Sequence, residues 1–95
     1  MAEALDTEEP VLRVGATTAP QELAAAIAHA CYEGKPPTLR AIGAGSVNQA
    51  VKGAAIARQY VAARAMDLTL RPGWGTVNMP DKDNVSAIVL KVIIS

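Results

Sequence analysis

The chain has 95 residues, 51% of them hydrophobic and 19% charged, with a formal net charge of zero. That length supports one domain around one core and excludes two independently folded units. No apolar run approaches the roughly 20 residues that a membrane-spanning helix needs, and the start lacks the charged and apolar regions of a signal peptide, so the expected location is the cytoplasm, without membrane contact.

The zero charge averages two unlike parts. Residues 1–10 carry Glu3, Asp6, Glu8 and Glu9 and no base, a net of −4, which leaves +4 on residues 11–95. An acidic stretch without apolar periodicity reads as a disordered leader that competes with polyanions for a basic face. Residues 11–95 read as a single domain, basic enough to permit nucleic-acid binding but not to require it.

Val11 to Gly15 alternates as a short strand, with Leu12 and Val14 on one face and Val11 and Arg13 on the other. Thr17 or Thr18 then caps a helix. Thr18 and Gln21 have capping-box spacing, Pro20 suits a first turn, and Leu23, Ile27, Ala30 and Cys31 form the apolar stripe. The sole cysteine, Cys31, lies on that stripe as a buried thiol, and one cysteine makes neither an intramolecular disulfide nor a multi-cysteine metal site. His29 lies off the stripe, at the surface, with no catalytic or metal-binding partner within sequence reach. Gly34 ends the helix and Pro36-Pro37 prevents its resumption. Thr38 to Ile42 follows as a second strand, parallel to the first because a helix crosses over between them.

Gly43 to Gly45 turns the chain into a second helix, with Ser46 as its N-cap and Gln49 completing a capping box. This helix is expected to run to about Ala65, with Val47, Ala50, Val51, Ala54, Val61 and Ala65 inward. Gly53 costs about 1 kcal/mol there relative to alanine, which implies close packing against another backbone. Met66 to Arg71 alternates as a half-buried strand, and Pro72-Gly73-Trp74-Gly75 is expected to bend or bulge it. Thr76 to Met79 continues it as an arm, Pro80 to Asn84 turns, and Val85 to Ile94 forms a last strand too apolar for a solvated edge.

These elements define a two-layer α/β sandwich of order β-α-β-α-β-β, a mixed four-stranded sheet with both helices on one face. Arg13, Arg40, Arg71 and Lys91 then emerge on the opposite face, either as a solvated surface or as a binding platform. The core is built from Ala, Val, Ile and Leu, with only Tyr32, Tyr60 and Trp74 aromatic. Alanines bury little area each, so part of the apolar surface is expected to lie between subunits.

The turn is the candidate site. Gly43-Ala44-Gly45-Ser46-Val47-Asn48 begins like a dinucleotide fingerprint, but Asn48 stands where its third glycine belongs, and no Gly-Lys-Ser/Thr follows. No cofactor is indicated. What remains is a helix start that favours anions, or else a turn shaped only for packing. The candidate nucleic-acid or anion contacts are Gly43, Gly45, Ser46, Asn48, Gln49 and Lys52 around the turn, with Arg71 and Lys82 on the last two strands and their connection. Catalysis is not expected: His29 and Cys31 face different directions, and Asp81 and Asp83 flank Lys82 as solvated turn residues.

Ala41-Ile42-Gly43-Ala44-Gly45, Asn48-Gln49-Ala50-Val51-Lys52 and Ile56-Ala57-Arg58, with their spacing to Met66-Asp67-Leu68, resemble the signature of the stage V sporulation protein S family. The resemblance implies an Alba-like fold from Val11 onward and self-association as a dimer or tetramer. It also implies contact with RNA or DNA through the two strand-to-helix turns and the hairpin, in the service of sporulation and related developmental programmes. The chain departs from the family in its first turn, Gly15 to Pro20, which has no base and so loses the Coulomb contribution there. The leading expectation is a small oligomeric regulator that binds nucleic-acid backbone with little sequence choice. The alternative is a protein-interaction or self-assembling scaffold module, and a third reading is a small-anion sensor at the same turn.

Overall fold

In the computed structural model, residues 10–95 are described, without the side chains of Lys82 and Asp83. The acidic leader expected over residues 1–10 therefore lies, except for Pro10, outside the described residues. Alternating apolar residues form two short strands, β1 (Val11–Val14) and β2 (Thr38–Ala41), each one residue shorter than its sequence pattern. They pair in parallel, Val11 with Thr38 through Val14 with Ala41. Helix α1 (Pro20–Tyr32) crosses between them, and α2 (Ala44–Ala62) leads on to β3 (Leu68–Met79) and β4 (Lys82–Ile94). The sheet order is β1-β2-β4-β3, with both β4 pairings antiparallel, so the apolar last strand is interior as expected.

The helix ends differ from the capping expected of them. Helix α1 starts after Ala19 with no side-chain cap, because the Thr18 hydroxyl instead accepts the Gly15 N–H at 2.8 Å and closes the preceding turn. At its other end Gly34 takes φ +79°, and the N–H groups of Gly34 and Lys35 donate to the carbonyls of Cys31 and Ala30. This left-handed termination needs a residue without Cβ strain, which glycine provides. Helix α2 stops at Ala62, three residues before the expected end. Ala65 adopts φ +61°, and Met66 N–H donates to the Val61 carbonyl, so Ala65 belongs to the terminating turn and is exposed.

One side of the sheet is covered by both helices. Val14, Leu39, Ala41, Leu68, Leu90 and Val92 meet Leu23, Ala24, Ile27, Cys31, Ala50, Ala54, Ala57 and Val61 in a single core. Burial raises the pKa of the Cys31 thiol above its ordinary value. The inward stripe of α2 is shifted from expectation. Ser46, Ala50, Gly53, Ala54, Ala57 and Val61 are buried, whereas Val51 is 47% exposed. Strand β3 is also less distorted than its composition implies: Pro72 pairs in register with Leu90, and the register slips only between Val77 and Met79. Strand β3 is the sheet edge, and a proline there forfeits no ladder bond if its missing N–H would have pointed outward.

Candidate functional site

Because β1 and β2 are parallel, both strand-to-helix turns lie at the same end of the sheet, and the Gln49 side chain ties them together. Gln49 donates its Nε2 to the Thr18 carbonyl at 2.9 Å, and Asn48 donates its Nδ2 to Gln49 Oε1 at 3.1 Å. Gly45 faces Ala16 so closely that a Cβ at position 45 would lie 3.1 Å from the Ala16 Cβ. Gly45 and Gln49 therefore have a packing role that their sequence pattern does not disclose: they dock the second turn on the first.

The N-cap of α2 is Gly43, not Ser46. Gly43 takes φ +92° and ψ 157°, a conformation that side chains rarely adopt, and its carbonyl accepts the Val47 N–H. Helix α2 consequently begins three residues earlier than a Ser46 cap would allow. Ser46 falls on the inward stripe at 6% exposure, and its hydroxyl has no hydrogen-bond partner among the described residues. The first-turn N–H groups of α2 carry no side-chain cap and no acidic residue, whereas the first turn of α1 contains Glu22. The positive end of the helix dipole is thus opposed by a carboxylate in α1 but not in α2.

Lys52 is exposed on α2, beyond Asn48 on the solvent side. Arg71 is elsewhere. It lies opposite Lys91 on the helix-free face, so the sheet separates it from the α2 start. The structure thus brings together Gly43, Gly45, Ser46, Asn48, Gln49 and Lys52 but not Arg71. The backbone of Lys82 pairs with Met79 at the distal end of the hairpin, and its side chain lies outside the description.

Trp74 joins the turn. It pairs with Ile88 and, 71% exposed, borders an apolar hollow with Ala41, Gly43, Ala44, Val47 and Ile88. Continuing the alternation of Leu68 and Leu70 through Pro72 puts Trp74 on the helix side of the sheet; the distortion expected at Pro72-Gly73 hides that relation. At the far end of α2, Arg58 donates its Nε to Asp67 Oδ1 at 3.0 Å. That hydrogen bond, with the guanidinium charge, holds the Asp67 carboxyl below its ordinary pKa. Among the described residues there is no cluster of three or more metal-ligating side chains, and no helix is long and apolar enough to cross a membrane.

The molecule is thus a small two-layer α/β protein whose distinctive construction is a pair of docked strand-to-helix turns beside a long hairpin. The family model for stage V sporulation protein S (SpoVS) matches residues 10–95, and the chain belongs to that sporulation-related family.

Proposed function

We propose that this protein is a non-enzymatic, oligomeric regulator that binds the backbone of RNA or DNA with little sequence choice. The observation that carries this reading is the docking of the two turns through Gln49 and Thr18, beside an α2 start with no acidic residue in its first turn. A helix N-terminus favours phosphate, and ligands of α/β sheets gather beyond the carboxyl ends of parallel strands. Asn48 and Lys52 border that surface, and Trp74 stands beside it with an aromatic face suited to an unstacked base.

Self-association has its own support in a shallow groove between α2 and the β3 edge, lined by Val51, Ala54, Ala55, Leu68 and Leu70. A second copy covering it would remove the exposed Val51 from water. Light scattering of the full chain should give a dimer or larger species, and a monodisperse monomer at micromolar concentration would contradict this part of the reading.

Titration of unrelated DNA and RNA sequences across a salt series tests the binding. Affinity should fall log-linearly with salt, and Lys52→Ala should weaken all sequences alike while reducing the slope by roughly one contact. Arg71→Ala and Lys82→Ala separate the faces. Loss at Arg71 with Lys52 silent would move the interface to the open side of the sheet, and absence of salt-dependent binding would leave the scaffold alternative.

A further inference from the structure

The hairpin outruns the rest of the sheet at the end where the turns lie. Strand β2 pairs with β4 only from Thr38 opposite Lys91 to Ala41 opposite Ile88, whereas β3 and β4 stay paired as far as Met79 and Lys82. The hairpin therefore projects past the point where β2 gives way to α2. Leu68, Leu90 and Val92 are buried in the core under the helices, and alternation from them puts Trp74, Ile88 and Ser86 on the same side of the sheet. Trp74 accordingly stands beside Gly43, Ala44 and Val47, at the start of α2. It is 71% exposed, the most exposed large hydrophobic side chain among the described residues. A tryptophan that serves the fold alone buries most of its surface, so this indole is available to a partner.

What surrounds the indole selects the partner. The hollow that Trp74 borders has a volume of about 420 Å³, within the usual range of ligand pockets, roughly 300–1,000 Å³. Ala41, Val47 and Ile88 line it with apolar surface, Ser86 adds a hydroxyl-bearing residue, and no carboxylate lines it. Gly43 and Ala44 line it too, and they are the N-cap and first residue of α2, whose first turn has no side-chain cap and no acidic residue. A Cβ at Gly43 would meet nothing within 4 Å, so the backbone there is open to a ligand. One hollow thus joins an aromatic face to anion-favouring N–H groups, and a nucleotide carries the matching pair in its base and its phosphate. A purely apolar partner would leave those N–H groups to water. In a duplex the base faces are stacked on one another and reach a pocket only by flipping out, whereas a single strand offers them freely. We propose that the hollow seats one unstacked base on Trp74, with its phosphate toward the α2 start, and that the protein consequently prefers single-stranded RNA or DNA to duplex. This narrows the nucleic-acid reading and rests on it. Every base has a π-face, so the stack adds affinity without adding sequence choice.

Trp74 is the only tryptophan of the chain, so its fluorescence reports on the hollow alone. Titrating the full chain at low salt with single-stranded oligothymidylate should quench that fluorescence. The duplex with oligodeoxyadenylate should bind more weakly and leave it nearly unchanged. Trp74→Ala should weaken single-strand binding about five-fold or more and duplex binding by less than about two-fold, since one base stack contributes at least the former. Trp74→Phe keeps an aromatic face and should retain most of the affinity. A strand of equal length without bases should bind the natural chain no more tightly than the intact strand binds Trp74→Ala. Salt-dependent binding in which baseless strand, intact strand and duplex are equivalent, with Trp74 unquenched, would overturn the base site and leave the backbone reading standing. No binding of any of them would overturn both. Trp74 emission that shifts on dilution of the protein alone would assign the hollow to a second copy and overturn the proposal.

Discussion

Gly53 of α2 faces Leu23 of α1 so closely that a Cβ at position 53 would lie 2.6 Å from Leu23 Cδ2, 2.8 Å from Cγ and 3.1 Å from Cβ. Rotation about χ1 of Leu23 can move Cγ and Cδ2 but not Cβ, so the 3.1 Å approach remains in every rotamer. The glycine brings the helices into contact. Gly53→Ala should destabilise the protein by about 1 kcal/mol, an overpacking cost of about 1–3 kcal/mol partly offset by alanine's better helix propensity. In a Leu23→Ala background the same change should become neutral or stabilising. A double-mutant cycle in urea checks the coupling, and additivity would refute the contact.

Ser46→Ala separates two roles for one hydroxyl. An N-cap serine would lose about 0.5–2 kcal/mol on replacement by alanine. A hydroxyl buried without a hydrogen-bond partner is instead better removed, and the variant should gain about 0.5–1 kcal/mol. The sign of the change in chemical denaturation decides between them.

Gln49 ties α2 to the first turn through the Thr18 carbonyl. Gln49→Ala should cost about 1 kcal/mol, the scale of one hydrogen bond that leaves a partner unsatisfied. Hydrogen exchange should quicken at residues 15–19 more than in β4. Uniform quickening would show that the bond does not hold the turn locally.

Asp67 should titrate below an ordinary aspartate because Arg58 donates to it and carries the opposite charge. Since the folded-state pKa is depressed, the resulting stability is present above the unfolded-state pKa and is lost as pH falls through the folded one. The pair is solvent-exposed, so salt should weaken the effect. Carboxyl chemical shifts followed against pH should show the Asp67 midpoint rising to its ordinary value in Arg58→Gln.

Local pattern carried much of the architecture. Alternation in Val11–Val14 and Thr38–Ala41, the helical stripe of Leu23, Ile27 and Cys31, and the apolar length of Val85 to Ile94 were enough to define the element order, the parallel crossover and a last strand too apolar for a solvated edge. These features depend on residues near one another in sequence. The close packing at Gly53 was likewise announced by a glycine where the helix would prefer alanine, although its neighbour is the Leu23 side chain and not the backbone expected there.

Tertiary contacts decided the rest. Ser46 and Gln49 have capping-box spacing, but Gly43 can adopt φ +92° and start α2 earlier, which turns Ser46 inward and frees Gln49 for Thr18, 31 residues away. Pro72 looks like a strand breaker until the sheet order makes β3 an edge, and only then does alternation carry Trp74 to the α2 turn. Arg71 resembles Lys52 as an isolated charge in sequence, yet strand parity places it across the sheet, opposite Lys91. A residue's local spacing sets the side from which its chain departs, whereas its partner depends on which strand or turn is folded beside it, and that is determined only when the whole sheet is assembled.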